Sequence, residues 1–317
     1  MYILKHASRD LDSPLNVKNQ LLTPVVFNSV FMLWSCFVVG FRPDHLTLLL
    51  LVNGLYFTHN ITRKLLFSFV FFLFFWIIYD SMRVYPNYMV NEVSTLSLYN
   101  LERSLFGVNY QGDMITLNEY FHMNNTKLLD LLSGLFYLTW VPVPIAVGLY
   151  LFFKNKKVLI LFGACYLFVN LIGFSIYYLY PAAPPWYVYE YGSLIRYDIA
   201  GNAAGLLRFD QLINYPLFEN MYNKNSNVFA AVPSLHAAYP VVTLFYVMKA
   251  KLRWVIPILV IDILGIWFSA IYSFHHYVID IILGFLCALV GIIIFENIVR
   301  IPKIQKMINT FARFVER

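Results

Sequence analysis

Long uninterrupted apolar runs are the feature that most constrains this chain. A hydrocarbon core roughly 30 Å thick needs about 20 helical residues, and about eight runs approach that length. They lie near 22–41, 44–59, 65–79, 131–153, 157–180, 232–249, 254–272 and 276–298. Because the runs are continuous rather than alternating, they indicate helices and not the strands of a barrel. The sequence therefore predicts an all-α integral membrane protein with about eight transmembrane helices.

The distribution of charge predicts the orientation. Only 13% of the residues are charged, and most of the 23 Lys and Arg residues would lie on one side of an eight-span arrangement. These basic positions are Lys5, Arg9, Lys18, Arg63, Lys64, Lys154, Lys156, Lys157, Lys249, Lys251, Arg253, and Arg300 with the tail beyond it. The positive-inside rule assigns that side, and both termini, to the cytoplasm. The net charge of +6 then reflects topology and does not indicate nucleic-acid binding.

Three regions follow from this arrangement. Residues 1–70 form a cytoplasmic tail and two extra spans, 71–300 a catalytic membrane core, and 301–317 a basic cytoplasmic tail. Two long connections, about 80–130 and 181–231, lie on the non-cytoplasmic side, where long loops commonly carry function. Residues Leu96 to Phe106 are predicted to form an interfacial helix in the first of them. The three cysteines, Cys36, Cys165 and Cys287, lie in apolar runs without CxxC spacing and are predicted to be buried.

Three polar clusters fall at the non-cytoplasmic ends of predicted spans. They are the proline-rich stretch 180–187, the stretch 232–239 that opens the sixth span, and the stretch 274–280 that opens the eighth. On a helix, His276 and Asp280 share one face about 6 Å apart at Cβ. His275 would point roughly 140° away from Asp280. We therefore expect Asp280 to orient His276 and to leave its other ring nitrogen as a nucleophile or base.

The second cluster predicts an anion site. Pro233-Ser234 is typical of a helix start, with Ser234 as the N-cap, so His236 would lie beside the backbone N–H groups of a first turn. Two histidines at two helix mouths suit phosphoryl transfer through a phosphohistidine. His276 would attack phosphorus and His236 would protonate the leaving oxygen.

Other interpretations remain open for the same residues. Either histidine alone is commonly a structural hydrogen-bonding group. A zinc site lacks an HExxH motif or a nearby cysteine, and Ser234 as a nucleophile lacks a GxSxG elbow. Tyr277 and Trp186 are typical of interfacial anchors. Asp262, in the middle of the seventh span, is either a polar contact to a neighbouring helix or a residue of a transport pathway.

The motifs resemble those of a known superfamily. Pro233-Ser234-x-His236, followed by His276-x-x-x-Asp280, is similar to the second and third motifs of the type-2 phosphatidic acid phosphatases. Stretches 180–187, 233–237 and 275–280 resemble more closely its inositol phosphorylceramide synthase branch, and the likeness covers roughly 75–298. The resemblance implies a six-helix core, no metal or other cofactor, and a triad of His236, His276 and Asp280 with His276 as the nucleophile.

One departure bears on the substrate. The superfamily's phosphatases carry an Arg six residues before the third-motif histidine, where this chain has Ala270, and no basic residue lies near Pro181. A phosphomonoester carries about −1.5 to −2 charge and a diester only one negative charge, so these losses favour a diester donor. Folded-back arginines could also replace the missing cations: Arg83, Arg103, Arg196 or Arg208. The residues predicted to contact substrate are Ser234, Arg83, Tyr277, His275 and Trp186.

The sequence thus predicts a membrane transferase that moves inositol phosphate from phosphatidylinositol to ceramide or a similar lipid alcohol such as diacylglycerol. Its partners would be the two lipids and the bilayer of a bacterial inner membrane or a Golgi-type membrane, with the active site on the non-cytoplasmic face. The first alternative is a lipid phosphatase that uses the same residues with water as acceptor. The second is a non-catalytic transporter or scaffold.

Overall fold

A computed structural model describes residues 14–224 and 227–316. Lys5 and Arg9 of the predicted cytoplasmic tail lie outside the described residues. The described chain is almost entirely helical, as predicted. Its α-helices are α1 Pro14–Phe37, α2 Pro43–Thr58, α3 Asn60–Ser68, α4 Val70–Ser81, α5 Leu96–Phe106, α6 Leu117–Met123, α7 Lys127–Leu138, α8 Pro142–Lys154, α9 Lys156–Leu179, α10 Pro185–Tyr191, α11 Leu207–Ile213, α12 Leu217–Tyr222, α13 Leu235–Lys249, α14 Ile256–Tyr272, α15 Val278–Val299 and α16 Pro302–Glu316.

The smaller elements lie outside the apolar helices. Short 3₁₀ helices span Asn87–Met89, Ala204–Leu206 and Arg253–Val255. Strands β1 Val108–Tyr110 and β2 Asp113–Ile115 form an antiparallel hairpin. The two residues of its turn, Gln111 and Gly112, have φ of 54° and 98°. Positive φ at both positions is typical of the type I′ turn that matches the twist of a hairpin.

The chain divides into two compact units between Phe67 and Ser68. In the first unit, α1 and α2 form an antiparallel helix pair. The side chains of Asn28 and Asn53 exchange two amide hydrogen bonds of 2.9 Å between these helices. Such reciprocal bonding satisfies two amides within apolar surroundings, where an unpaired amide is costly.

The second unit holds the longest apolar helices. Among the described residues, four helical stretches are long and apolar enough to cross a membrane: Lys127–Lys154, Lys156–Leu179, Arg253–Tyr272 and Val278–Val299. A fifth is counted if the broken pair α3 and α4 is one span. The all-helical membrane class is confirmed, whereas the predicted number of spans exceeds this count. The difference arises because α2 and α13 have 16 and 15 residues and the described apolar part of α1 is Leu21–Phe37.

Helix α13 lies at the centre of the second unit and packs against α9, α14 and α15. Glycines on the neighbouring helices make the close approaches. The α-carbon of Gly284 in α15 lies so near the carbonyl oxygen of Ser234 that a Cβ there would clash with it. Gly173 in α9 similarly meets the side chain of Leu235. Small residues at such contacts are how membrane helices gain packing energy without a hydrophobic driving force between them.

Helices α13 and α15 run parallel, which brings their N-termini to the same end of the helix bundle. At that end, the N–H of Ser234 donates to the carbonyl of Asp280 over 2.9 Å. At the opposite end, Lys249 of α13 forms an ion pair of 2.6 Å with Glu296 of α15. Tyr246 donates to the same carboxylate over 3.0 Å. The two helices are therefore held together at both ends.

One set of backbone hydrogen bonds joins the outer segments between the spans. The N–H of Ser94 donates to Pro181 O (2.8 Å), and the N–H of Ala182 donates to Phe229 O (3.0 Å). The N–H of Ala231 in turn donates to Ala182 O (3.3 Å). These bonds join the first long connection, the proline-rich stretch and the approach to α13 into one layer. The helix predicted at Leu96 to Phe106 is confirmed as α5, and its Leu98 and Glu102 are buried against the protein.

We expect Gly284→Ala to destabilise the second unit, since the added methyl group would push against the backbone of Ser234 rather than against a movable side chain. Overpacking of this kind costs about 1–3 kcal/mol. The thermal unfolding midpoint in detergent would fall by several degrees. A matched control is Gly54→Ala in α2, where a Cβ meets no atom within 4 Å. That change should be neutral or slightly stabilising because Ala favours helix over Gly. Equal midpoints for the two variants would contradict the close approach.

Candidate active site

His276 lies in the turn between α14 and α15. The N–H groups of His275 and His276 both donate to Ala270 O, over 3.1 and 3.0 Å, which ends α14. Tyr277 is the N-cap of α15, so His276 precedes the helix rather than forming part of it as predicted. The pair with Asp280 is nevertheless present. The distance from His276 Nδ1 to Asp280 Oδ2 is 3.5 Å.

The surroundings of His276 determine its tautomer. Nδ1 lies 3.1 Å from the carbonyl oxygen of Ala231, closer than it lies to Asp280. The nearer neighbour, a carbonyl oxygen, can only accept a hydrogen bond, so Nδ1 carries the proton. Nε2 is left with a free lone pair, and it lies 3.3 Å from His236 Nδ1. His236 Nδ1 is therefore the donor in the contact between the two histidines.

Burial keeps this imidazole neutral. The side chain of His276 is 6% exposed, and burial lowers its pKa to about 4, against the opposing effect of the bond to Ala231. An imidazole with that pKa keeps the lone pair on Nε2 at neutral pH. The electronic state required of a nucleophile is thus the resting state of the side chain.

The start of α13 places the second histidine. Ser234 is the N-cap, as predicted, and its Oγ accepts from the N–H of Ala237 over 3.3 Å. This cap uses the hydroxyl of a fully buried side chain. His236 follows two residues later between aromatic rings, with its ring centre 5.2 Å from that of Tyr137 and 4.9 Å from that of Trp140. These rings limit the rotation of His236 and shield it from water.

His275 does not face the two reacting nitrogens. Its Nε2 donates to Ala203 O over 2.9 Å, and its ring stacks on Tyr222 with centres 4.4 Å apart. A further stacked contact joins it to Tyr137 at 5.6 Å. The ring of His275 is thus held by protein groups, and its contact with substrate stays a prediction.

Tyr277 and Trp186 also have structural surroundings. Tyr277 is 1% exposed in a cluster that contains Leu98 and Val232. Trp186 is 5% exposed, and its backbone N–H donates to Phe274 O over 3.1 Å. Burial excludes the interpretation of either ring as an interfacial anchor. The structure does not bring either side chain to the nitrogen pair.

The arginines considered as phosphate ligands each have another partner. Arg83 forms an ion pair of 2.8 Å with Asp80, and its Nη2 donates to Lys224 O over 3.2 Å. Arg208 is paired with Asp130 over 2.6 Å. The remaining two make the following contacts: Arg196 pairs with Asp198, and Arg103 lies over the ring of Tyr99. The predicted substrate contact of Arg83 thus competes with an ion pair already formed.

Asp262 makes the polar contact between helices that was one of its two interpretations. Its Oδ1 accepts from Thr139 Oγ1 over 2.6 Å, at the break between α7 and α8. Trp140, which contacts His236, follows that threonine directly. The contact therefore fixes the break that brings an aromatic ring to the active-site histidine.

Two residues that the sequence analysis missed hold the His276 turn. Glu102 of α5 is fully buried, and its carboxylate accepts from the N–H groups of Val278 and Ile279 over 3.0 and 3.1 Å. Asn118 of α6 donates from Nδ2 to both Ile271 O and His276 O, over 2.8 and 2.9 Å. The two side chains thus bond to the backbone on both sides of His276. A carboxylate at a helix N-terminus is also favoured by the helix dipole.

Burial raises the pKa of Glu102, and the negative charge of Asp280 adds to this shift, while the two N–H groups oppose it.

In the described ranges, no group of three or more His, Cys, Asp or Glu side chains is arranged to hold a metal ion. Carboxylate and carbonyl groups bond to the histidines, and aromatic rings pack around them.

Comparison with known proteins identifies the relatives of this chain. Residues 96–294 match the family model described as PAP2 superfamily. The chain is 46% identical to the phosphoinositol dihydroceramide synthase of Bacteroides thetaiotaomicron over 301 residues, which cover 94% of this chain and 98% of that protein. It is 28% identical to the inositol phosphorylceramide synthase of Candida albicans, over 71% of this chain and 46% of that protein. No solved structure matches the chain.

A second fungal relative is the inositol phosphorylceramide synthase catalytic subunit of Schizosaccharomyces pombe. Identity is 25% over 292 residues, which cover 88% of this chain and 65% of that protein. The chain therefore spans about half to two thirds of the length of these fungal proteins and nearly all of the bacterial one.

We expect Glu102→Ala to reduce both stability and turnover, because it leaves two buried N–H groups unsatisfied at about 1–3 kcal/mol each. Glu102→Gln keeps one acceptor oxygen, so it should fold nearly as well and lose mainly kcat through a displaced His276. Asn118→Ala should act in the same direction. The measurements are the unfolding midpoint and the ratio of kcat to KM for each variant.

The exposed Glu92 provides the control for loss of a carboxylate in the same outer region. Glu92→Ala should leave both the unfolding midpoint and kcat unchanged. If Glu102→Gln also left kcat unchanged, Glu102 would have no positioning role.

Proposed function

Because this chain belongs to the PAP2 superfamily, we propose that it is a membrane phosphotransferase that moves inositol phosphate from phosphatidylinositol to ceramide or dihydroceramide. The names of its relatives support this choice of head group and acceptor. The chain is a multi-pass integral membrane protein. Both substrates are lipids of the bilayer that surrounds it.

The observation that carries the proposal is the contact between His236 Nδ1 and His276 Nε2 at 3.3 Å. A lone pair on Nε2 and a proton on Nδ1 thus lie beside each other, and the two rings must separate to admit a phosphorus atom and its leaving oxygen. In-line displacement needs a nucleophile on one side of the phosphorus and an acid beside the leaving oxygen on the other. This pair of groups supports a phosphohistidine mechanism.

In the first step, His276 Nε2 forms a bond to the phosphorus of phosphatidylinositol while the bond from phosphorus to the glycerol oxygen breaks. For this step His236 must carry a proton on both ring nitrogens; the proton on Nδ1 passes to that oxygen, the His236 ring becomes neutral, and diacylglycerol leaves. The carboxylate of Asp280 and the carbonyl of Ala231 stabilise the positive ring of the resulting phosphohistidine.

In the second step, the primary hydroxyl of ceramide attacks the same phosphorus and returns a proton to His236 Nδ1. The bond between phosphorus and Nε2 breaks, which restores both histidines. Each step inverts configuration at phosphorus, so two steps retain it. Analysis of a chirally labelled donor should give retention, whereas an inverted product would exclude the covalent intermediate.

The charge near the histidines suits a diester better than a monoester. Ala270, where the related phosphatases carry an Arg, is fully buried among Tyr137, Phe209 and Phe218. The parallel α13 and α15 direct two positive helix ends toward the site, and each end is equivalent to about half an elementary charge. That field suits the single negative charge of a phosphodiester.

We also propose that the histidines face the non-cytoplasmic leaflet and that both termini are cytoplasmic. The opposite ends of α13, α14 and α15 carry Lys249, Arg253 and Arg300. A basic end is retained on the cytoplasmic side during insertion. The acidic outer segments would then cover the site from the non-cytoplasmic side.

The decisive experiment separates transfer from hydrolysis. Purified protein in mixed micelles receives phosphatidylinositol labelled at phosphorus, with and without dihydroceramide, and both lipid and water-soluble products are followed. We expect label in a ceramide lipid only when the acceptor is present. Label released as soluble inositol phosphate or phosphate, regardless of acceptor, would instead identify a lipid phosphatase.

His276→Ala should abolish transfer because it removes the nucleophile, whereas the chain should stay folded with a lower unfolding midpoint, since the buried ring loses its hydrogen bond to Ala231 O. The matched control is His59→Ala, which removes an exposed histidine in the connection between α2 and α3. That control should keep full activity. If His276→Ala lost the folded state together with transfer, the result would support a structural role for His276 and the scaffold alternative.

Asp280→Asn should lower kcat by about 10²-fold, less than the roughly 10⁴-fold loss in serine protease triads, where removal of the carboxylate lets the wrong tautomer form. The difference is expected because Ala231 O also holds the proton on Nδ1. Asn keeps an acceptor for the N–H of Tyr277, which Asp280 Oδ2 binds over 2.8 Å, so the fold should persist. A loss as large as that of His276→Ala would show that the carbonyl alone cannot fix the tautomer.

A further inference from the structure

Helix α16 is amphipathic and follows the last apolar helix after two residues, Arg300 and Ile301. Part of its apolar side packs on the protein. Ala312 and Val315 are buried, and the ring of Phe311 meets that of Phe71 edge to face at 6.4 Å. These contacts fix one side of α16 against the second unit.

Two further apolar side chains of α16 are largely exposed. Met307 is 64% exposed and Phe314 is 56% exposed. Both residues lie on an open, shallow surface of the helix, which we call the α16 groove. The lining residues all belong to α16: Lys303, Lys306, Met307, Thr310, Phe311 and Phe314. The groove thus has an apolar floor and two ammonium groups on its edge.

The two lysines have no acidic partner in the part of the chain that the structure describes. Arg313, in contrast, donates to Asn309 O and Thr310 Oγ1 within the helix. An apolar strip beside two unpaired cations complements a molecule that carries a negative head group and a hydrocarbon chain. This charge complementarity distinguishes an anionic lipid from a zwitterionic one.

The position of α16 places it where such a lipid is available. It follows the end of α15, a helix long and apolar enough to cross the bilayer, at the end marked by the pair Lys249–Glu296. With 15 residues and one polar side, α16 is too short and too polar to span. A basic amphipathic helix of this kind lies in the plane of the membrane interface.

We propose that the α16 groove binds an anionic phospholipid of the leaflet opposite the histidines. The lipid phosphate lies between Lys303 and Lys306, and an acyl chain covers Met307 and Phe314. This site is separate from the histidine pair, so the proposal does not depend on the transfer reaction.

The test uses the purified full chain in detergent, titrated with phosphatidylglycerol or phosphatidylcholine and followed by native mass spectrometry. We expect the unchanged chain to bind phosphatidylglycerol more tightly. The double variant Lys303→Gln with Lys306→Gln should bind it about 30-fold more weakly, since each basic residue near an anionic surface contributes about a fivefold gain in affinity. Binding of phosphatidylcholine should not change.

The matched control keeps the charge: Lys303→Arg with Lys306→Arg should retain tight binding. Met307→Ser with Phe314→Ser should weaken binding of both lipids, because it removes the apolar floor. Equal affinity of the Gln variant and the unchanged chain for phosphatidylglycerol would overturn the proposal. A change in the oligomeric mass of the Gln variant with lipid binding kept would also overturn the proposal, because the groove would then contact a second copy of the chain.

Discussion

The arrangement of the site depends on one backbone hydrogen bond, from the N–H of Ser234 to the carbonyl of Asp280. It joins the start of α13 to the first turn of α15, and Gly284 permits the approach because it has no side chain. Parallel neighbours need their ends aligned if both N-termini are to reach one place. His236 and His276 are thus brought together by main-chain packing, and their own contact of 3.3 Å adds to it.

The distribution of charge follows from that arrangement. Two helix N-termini at one place together amount to about one positive elementary charge, and two buried acidic side chains, Glu102 and Asp280, lie at the same place. Glu102 accepts from the N–H groups of α15, and Asp280 lies beside His276. A doubly charged phosphate would bring more negative charge to these carboxylates than a diester does, and it would need a cation cluster to offset it.

Local sequence rules predicted the parts of this site that depend on local geometry. Pro233-Ser234 correctly indicated a helix start, and the spacing of His276 and Asp280 correctly indicated a pair, although the histidine lies in a turn. The hydrogen bond to Ala231 could not be predicted, because a carbonyl group is present at every residue and gives no signal. Glu102 was missed for a different reason. It is one of several acidic residues in the outer segments, and its partners lie more than 170 residues away.

The outer segments belong to the active site rather than merely covering it. The turn between α14 and α15 has backbone groups that neither helix can satisfy, and an unpaired buried carbonyl is costly. Asn118 binds His276 O, the N–H of Trp186 binds Phe274 O, and the N–H of Gly205 binds Ser273 O. Three segments distant in sequence thus fix one short turn. Because the direction of Nε2 depends on that turn, we expect changes in the outer segments to affect the geometry of His276 even where they touch no substrate.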